Sequence, residues 1–436
     1  MAVRFAMALA FGWIILTSLG NAQAGQQAST ASPTFSKDVA PIFYRNCVTC
    51  HRPGEMAPMP LLSYQQVRPW ARAIAEKVAG GSMPPWHAVA PSGTFRNERR
   101  LNAHERDTIL SWVKNGAPSG DAKDMPPVPT FATGWTIGTP DGVVAMGTEF
   151  EVPASGEIPY QYFEAPTNFT EDKWVQAIEV RPGAPSVVHH VLVFSRDPNV
   201  TARPAAFAVR VPDAAALTRR AVAERPAGAP ANARPPANRG VLIATTAPGT
   251  NAQVFPPDQA MLIRAGSVLT FQVHYTSAGK PTKDRTSIGF VFAKQPPQHE
   301  VRSSAFSNAT LVIPAGEANH RVDSAIEFLQ DSRITAIFPH THLRGKSWEY
   351  RIVYPGGRSE VVLSVPKYDF NWQTYYEFVT PLAAPKGTRL EGTAHYDNSA
   401  ANTANPDPKA TVRWGDQTWE EMQYTGITFI VEEQKR

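Results

Sequence analysis

Proline occupies 40 of the 436 positions. A residue that has no amide hydrogen and a fixed φ interrupts long helices and central strands alike, so a chain this rich in it is expected to use short strands joined by many turns. A chain of this length is also expected to divide into several domains. Its first segment is set apart by its chemistry: Arg4 precedes an apolar run over residues 5–19, and Asn21-Ala22-Gln23-Ala24 follows with small residues at alternate positions. Residues 1–24 therefore read as a cleavable signal peptide, too short and too interrupted by Gly12 and Ser18 for a spanning helix. The protein is expected to be periplasmic or secreted, with no stable membrane insertion. The net charge is only +4 and seven arginines fall within residues 202–239, so the rest is close to neutral and shows no nucleic-acid footprint.

The chain's two cysteines both lie in Cys47-Val48-Thr49-Cys50-His51. C-x-x-C-H is the attachment pattern of a c-type haem, in which two thiols add to the vinyl groups and His51 ligates iron from the same helical turn. A redox dithiol would not need the histidine, and a zinc site would need a second pair of ligands. One covalent haem c is expected. Around it, residues 35–120 have the dimensions of a small all-α domain. They offer an amphipathic stretch before the motif, a middle helix over 67–79, and a closing helix opened by an Asn102/Glu105 capping box, faced by Ile109, Leu110, Trp112 and Val113 and stopped at Gly116. This segment resembles the class I cytochromes c. The resemblance implies a second axial ligand from a loop between the last two helices, and Met83 in Gly80-Gly81-Ser82-Met83-Pro84-Pro85-Trp86 matches it, with His87 as competitor. Met56 and Met59 sit too close to the attachment turn to reach the opposite face easily. A Met/His pair makes the haem an electron relay.

A Pro-rich linker over 121–147 leads to a change of character. Short runs of Val, Ile, Phe, Tyr and Thr then alternate with Gly, Pro, Asn and Asp clusters, the pattern of antiparallel sandwiches. Two all-β, jelly-roll-like sandwich domains are expected, over 148–280 and 301–431. The first is interrupted by an Ala/Pro/Arg-rich insertion at 202–239, expected as a solvated loop. Five of the 11 histidines fall in three strand-like contexts: Val188-His189-His190-Val191, Val273-His274-Tyr275 and Pro339-His340-Thr341-His342. The period-two spacing of His340 and His342 puts both rings on one face, where they can share an ion. Adjacent His189 and His190 would point to opposite faces of a regular strand, and can serve one metal only at a strand end or a bulge. A lone His274 is, by itself, more often a hydrogen-bonded core or edge residue than a ligand. His395, in Thr393-Ala394-His395-Tyr396-Asp397, stands outside these groups.

The order His-His, His-Tyr, His-Thr-His and then a methionine near the C-terminus resembles the copper type II, ascorbate-dependent monooxygenases, the family of peptidylglycine alpha-hydroxylating and dopamine beta-hydroxylating enzymes. The resemblance spans residues 148–431. It implies two copper ions: one held by His189, His190 and His274, the other by His340, His342 and Met422, the last in Trp419-Glu420-Glu421-Met422-Gln423-Tyr424. A thioether is a soft ligand that selects Cu(I), which favours copper over zinc at the second set; a blue-copper site is excluded because its Cys ligand is already spent on haem. His340, His342 and Met422 are thereby the expected catalytic set.

The function this implies is an exported oxidoreductase, a copper-dependent monooxygenase that hydroxylates a C–H bond of a small organic substrate with O₂. Electrons are expected from a periplasmic donor or an ascorbate-like reductant, relayed by the haem. The alternative is a haem- and copper-carrying electron-transfer or sensor protein with no substrate. Two departures matter. The peptide-amidating branch has an arginine two residues before its His-x-His motif, where this chain has Phe338, so peptidylglycine is an unlikely substrate. Animal members are also rich in disulfides, and this chain has no cysteine to spare for one.

Overall fold

The computed structural model describes residues 32–55, 57–131, 134–198, 209–210, 240–247 and 252–432. The signal peptide, Met56 and all of the 202–239 insertion except Val209–Arg210 lie outside them. Among the described residues no helix is long and apolar enough to cross a membrane.

Strands dominate. A nine-stranded sheet runs in the order Gly142–Ala145, Ser287–Phe292, Lys173–Arg181, Gln259–Ile263, His299–Ser307, Tyr424–Val431, Ser332–His340 and Tyr376–Ala384, with Gln253–Val254 paired to the side of Lys173–Arg181. Two smaller sheets pack against it. One has the order Gln161–Pro166, Val268–Tyr275, Val188–Arg196, Val241–Thr246; the other has Ser359–Val365, Gly345–Val353, Arg389–Tyr396, His320–Phe328, Val209–Arg210. Between the long sheet and the first small sheet lies a core containing Ile178, Phe271, Val273, Phe290 and Ile430. Between it and the second lies a core containing Phe306, Ile326, Tyr350, Leu390 and Phe429. Each such side chain contributes roughly 1.5–3 kcal/mol by leaving water.

The Val188–Arg196 strand is apolar on both sides, and the packing explains it. Val191 and Val193 enter the first core, while Leu192 and Phe194 join Leu242, Ala336, Phe338 and Tyr375 on the opposite face. A strand covered on both faces reads as a continuous apolar run rather than an alternation. The second face is the one that carries His190, and it is pressed toward the strand that ends in His340.

The expected arrangement, a small all-α cytochrome c domain followed by two separate antiparallel sandwich domains, is not what the chain forms. Pro33–Arg436 is one compact unit, and among the described residues the longest helix has 12 residues and no all-α domain stands apart. The reasons are specific. Helices Ala40–Asn46, Ala71–Ala79 and Ala103–Lys114 do form, the last with the Asn102/Glu105 capping box and Gly116 at φ 85° behind it, and they enclose Phe35, Phe43, Ile109 and Trp112. The chain between the last two, however, leaves them. Trp86, Ala88 and Phe95 are buried in the second sandwich core beside Tyr376 and Phe378, and the Arg96 amide donates to the Glu377 carbonyl at 2.7 Å. The two sandwiches also share one sheet, because Gln259–Ile263 pairs in parallel with His299–Ser307, across the boundary expected between 280 and 301.

Candidate metal centre

His190 and His274 face each other across an antiparallel ladder, and the next pair is Tyr275 with Val188. His189 is thus the extra residue of a β-bulge, the irregularity that lets two adjacent side chains turn to one side. The rings of His189, His190 and His274 lie 5.0–5.3 Å apart, and one nitrogen from each falls within 4.8 Å of the others. The His189 and His190 Nδ1 atoms are 3.0 Å apart. That is close to the ~3.3 Å between two donors of one tetrahedral ion with bonds of about 2.0 Å.

His340 ends the Ser332–His340 strand and His342 lies just beyond it, their rings 5.2 Å apart. His340 is also 6.1 Å from His190. All five imidazoles therefore meet in one place. Phe370 stacks on His189 at 5.2 Å and reaches His342 at 6.1 Å, and Tyr160 lies 4.8 Å from His274 and 6.0 Å from His342.

Hydrogen bonds set the tautomers. His340 Nδ1 donates to Gln373 Oε1 at 2.8 Å and His342 Nδ1 donates to the Glu420 carbonyl at 3.2 Å, since those oxygens can only accept. Each ring is left with Nε2 as its lone-pair nitrogen. The Nε2 atoms of His189, His190 and His342 and Nδ1 of His274 are buried without a hydrogen-bond partner. An orphaned buried polar atom costs about 1–3 kcal/mol; a metal ion would satisfy His274 Nδ1 and His342 Nε2 directly, while His189 and His190 can offer an ion their facing Nδ1 atoms. Burial pushes the His189 and His340 imidazoles down to about 4, and those of His190, His274 and His342 well below their ordinary value. The cluster is neutral, which is the ligating form.

Met422 is buried, 7% exposed, two residues before the Tyr424–Val431 strand. Tyr424 pairs with His340, and His342 and Met422 each lie two residues beyond that pair on their own chain segments. The intervening structure is fixed by Glu421, which is fully buried. Its carboxylate accepts from the amides of His342 at 2.8 Å, Arg344 at 2.7 Å and Met422 at 2.9 Å. Burial outweighs those donors and pushes the Glu421 carboxyl up to about 7. Arg344, equally buried, is held by Asn398 Oδ1 and the Trp419 carbonyl.

Sequence reasoning missed Gln373, Phe370, Tyr160, Glu421 and Arg344. Glu421 had one signal, a charge beside Met422 in an otherwise strand-like stretch; Gln373 had none. Phe338, in place of an arginine, is buried and stacks on Tyr375 at 4.7 Å. His395 lies outside the cluster's ring contacts and is 3.4 Å from Ser347 Oγ.

The Cys47 to His51 segment forms one helical turn after Ala40–Asn46, with the Cys50 and His51 amides both donating to the Cys47 carbonyl. His51 Nδ1 donates to the Met59 carbonyl at 3.0 Å, which leaves Nε2 as its lone-pair nitrogen. Burial raises the Cys47 thiol to about 12. Met83 is half-buried behind Ala71–Ala79 with its amide on the Lys77 carbonyl, whereas Met59 packs against the helical core with Cys47. Burial lowers the pKa of His87, which lies near Asp369.

No family model matches this chain, and no curated protein matches it. Among solved structures, a chain from the structure of infectious bursal disease virus Gt strain is similar over 68% of this chain and 68% of that one, at 8% identity and a TM-score of 0.18. A likeness of that size carries no argument about fold or function.

Proposed function

We propose that the protein is an exported copper-dependent monooxygenase of the copper type II kind, hydroxylating a small organic substrate at a C–H bond. The observation that carries this reading is the convergence of five neutral imidazoles, four of them buried and His189 half-buried, beside a buried methionine whose amide shares the Glu421 Oε2 acceptor with the amide of His342. His189, His190 and His274 would hold one copper, and His340, His342 and Met422 the other. Copper bound there supplies one-electron redox chemistry and an oxygen-binding position, and the thioether favours Cu(I) over zinc at the second set.

The chain's own residues do the rest. Gln373 holds His340 in the tautomer that presents Nε2, and the Glu420 carbonyl does the same for His342. Glu421 fixes the backbone of His342 and Met422 together, so ligands from two chain segments keep one geometry. Phe370 and Tyr160 wall the cluster from water. Hydroxylation consumes one O₂, two electrons and two protons and releases one water. Cys47, Cys50 and His51 would hold a haem c, which when bound would provide one-electron transfer from a periplasmic donor or an ascorbate-like reductant. With Phe338 where an arginine would hold a peptide carboxylate, the substrate is a small molecule without that handle.

Oxygen uptake by copper-loaded protein with pre-reduced haem, compared with Met422→Ala, tests this. Uptake that depends on Met422 is expected; haem reoxidation without uptake in either protein would replace the reading with an electron-transfer role.

A further inference from the structure

Resting on the reading that a haem c and copper are both bound, we infer that electrons leaving the haem enter the histidine cluster at His340, and that Asn97 is the positioning residue that joins the haem-attachment turn to it.

The connection is built from this chain's own contacts. At one end the half-buried Arg99 guanidinium donates to Cys50 Sγ, which as a thioether would still be a weak acceptor. Two residues earlier, Asn97 Nδ2 donates to the Tyr375 carbonyl, and Asn97 Oδ1 accepts from the Glu377 amide at 3.2 Å. Tyr375 then reaches His340 by two arms. Along the backbone it lies two residues from Gln373, whose Oε1 accepts from His340 Nδ1 at 2.8 Å. Through its side chain it stacks on Phe338 at 4.7 Å, and Phe338 in turn lies at 22° to the His340 ring.

Hydrogen bonds and short runs of backbone thus link Cys50 to His340 without a gap, and electron tunnelling is attenuated far less by bonds than by empty space. Asn97 is the joint of this route. The segment does not depend on its side chain for docking, because the Arg96 amide donates to the Glu377 carbonyl at 2.7 Å and the Val379 amide to the Thr94 carbonyl at 3.0 Å. The step itself moves one electron and no atoms: ferrous haem and Cu(II) become ferric haem and Cu(I).

The test uses the full chain loaded with haem and copper, both oxidised and kept free of oxygen. Pulse radiolysis delivers an electron to the haem, and haem absorbance follows its passage to Cu(II); the haem midpoint potential and copper content are measured for each variant. A reoxidation independent of protein concentration is expected, slowed about tenfold in Asn97→Leu and about threefold in Phe338→Leu, with potential and copper content unchanged. His342→Ala, which removes a ligand of the same ion, is expected to abolish that phase. Equal rates in wild type, Asn97→Leu and Phe338→Leu would overturn the route, as would a phase that survives in His342→Ala or a slower rate explained by a shifted potential. Oxygen uptake that still depends on Met422 would then leave the monooxygenase reading standing, whereas absence of copper binding would overturn both.

Discussion

The carboxylate of Glu421 accepts a hydrogen bond from the backbone amide of His342 at 2.8 Å, and the same oxygen accepts from the amide of Met422 at 2.9 Å. A histidine just beyond the end of one strand and a methionine two residues before the start of another are thereby tied through a single oxygen. Glu421→Gln keeps that oxygen but turns an amide nitrogen toward the Arg344 amide, which now donates to Oε1 at 2.7 Å. A buried donor is orphaned and the Arg344 guanidinium loses its nearby carboxylate, at a cost of about 1–3 kcal/mol for the donor alone. The expected outcome is a lower melting temperature with faster copper loss, read by calorimetry and by chelator competition; unchanged values for both would dismiss the tie.

Copper-free protein should weaken in acid. The folded-state pKa values of all five cluster histidines lie below the ordinary 6.5, with His340 at about 4, so the unfolded chain binds more protons between those limits. Stability is therefore fully present above about pH 6.5 and falls as pH drops toward 4, by on the order of 3 kcal/mol for His340 alone. Glu421 acts oppositely: raised from 4.5 to about 7, it favours the folded state at low pH and loses that contribution as pH rises through 7. One group against five leaves the histidines in control. Urea midpoints of copper-free protein should fall from pH 7 to pH 5, and a flat profile would contradict a neutral buried cluster.

Met422→Leu separates packing from ligation. The swap nearly conserves volume and costs under about 1.5 kcal/mol in a core. The thioether is lost, so Cu(I) affinity measured against a Cu(I)-selective chelator is expected to drop by about tenfold or more while Cu(II) stoichiometry holds. Equal Cu(I) affinity in both proteins would mean that Met422 only packs.

These expectations show where local pattern carries information and where it does not. The shared face of His340 and His342 follows from a two-residue period, and the need for a bulge at His189 follows from two neighbours that must turn the same way. Both are properties of a few consecutive residues, as is the Asn102/Glu105 cap. Gln373 meets His190 across 183 residues of chain, and nothing around Asn371-Trp372-Gln373 marks it. The parallel pairing of Gln259–Ile263 with His299–Ser307 is equally silent, because each strand alone reads like any other. That pairing merged what local pattern would divide.

The segment between the last two helices supplies the last test. Phe95 is 2% exposed, 5.2 Å from Phe378 and 5.5 Å from Tyr376, with Trp86 at 5.7 Å. Its neighbours Thr94 and Arg96 exchange backbone hydrogen bonds with Val379 and Glu377. If these contacts make Pro33–Arg436 one folding unit, Phe95→Ala should cost about 3–5 kcal/mol and lower the stability of the helical segment and the sandwiches together. Thermal unfolding followed at once by far-ultraviolet circular dichroism at a helical wavelength and by tryptophan fluorescence would read this. Two transitions, with only one of them moved by the substitution, would show that the helical segment unfolds on its own.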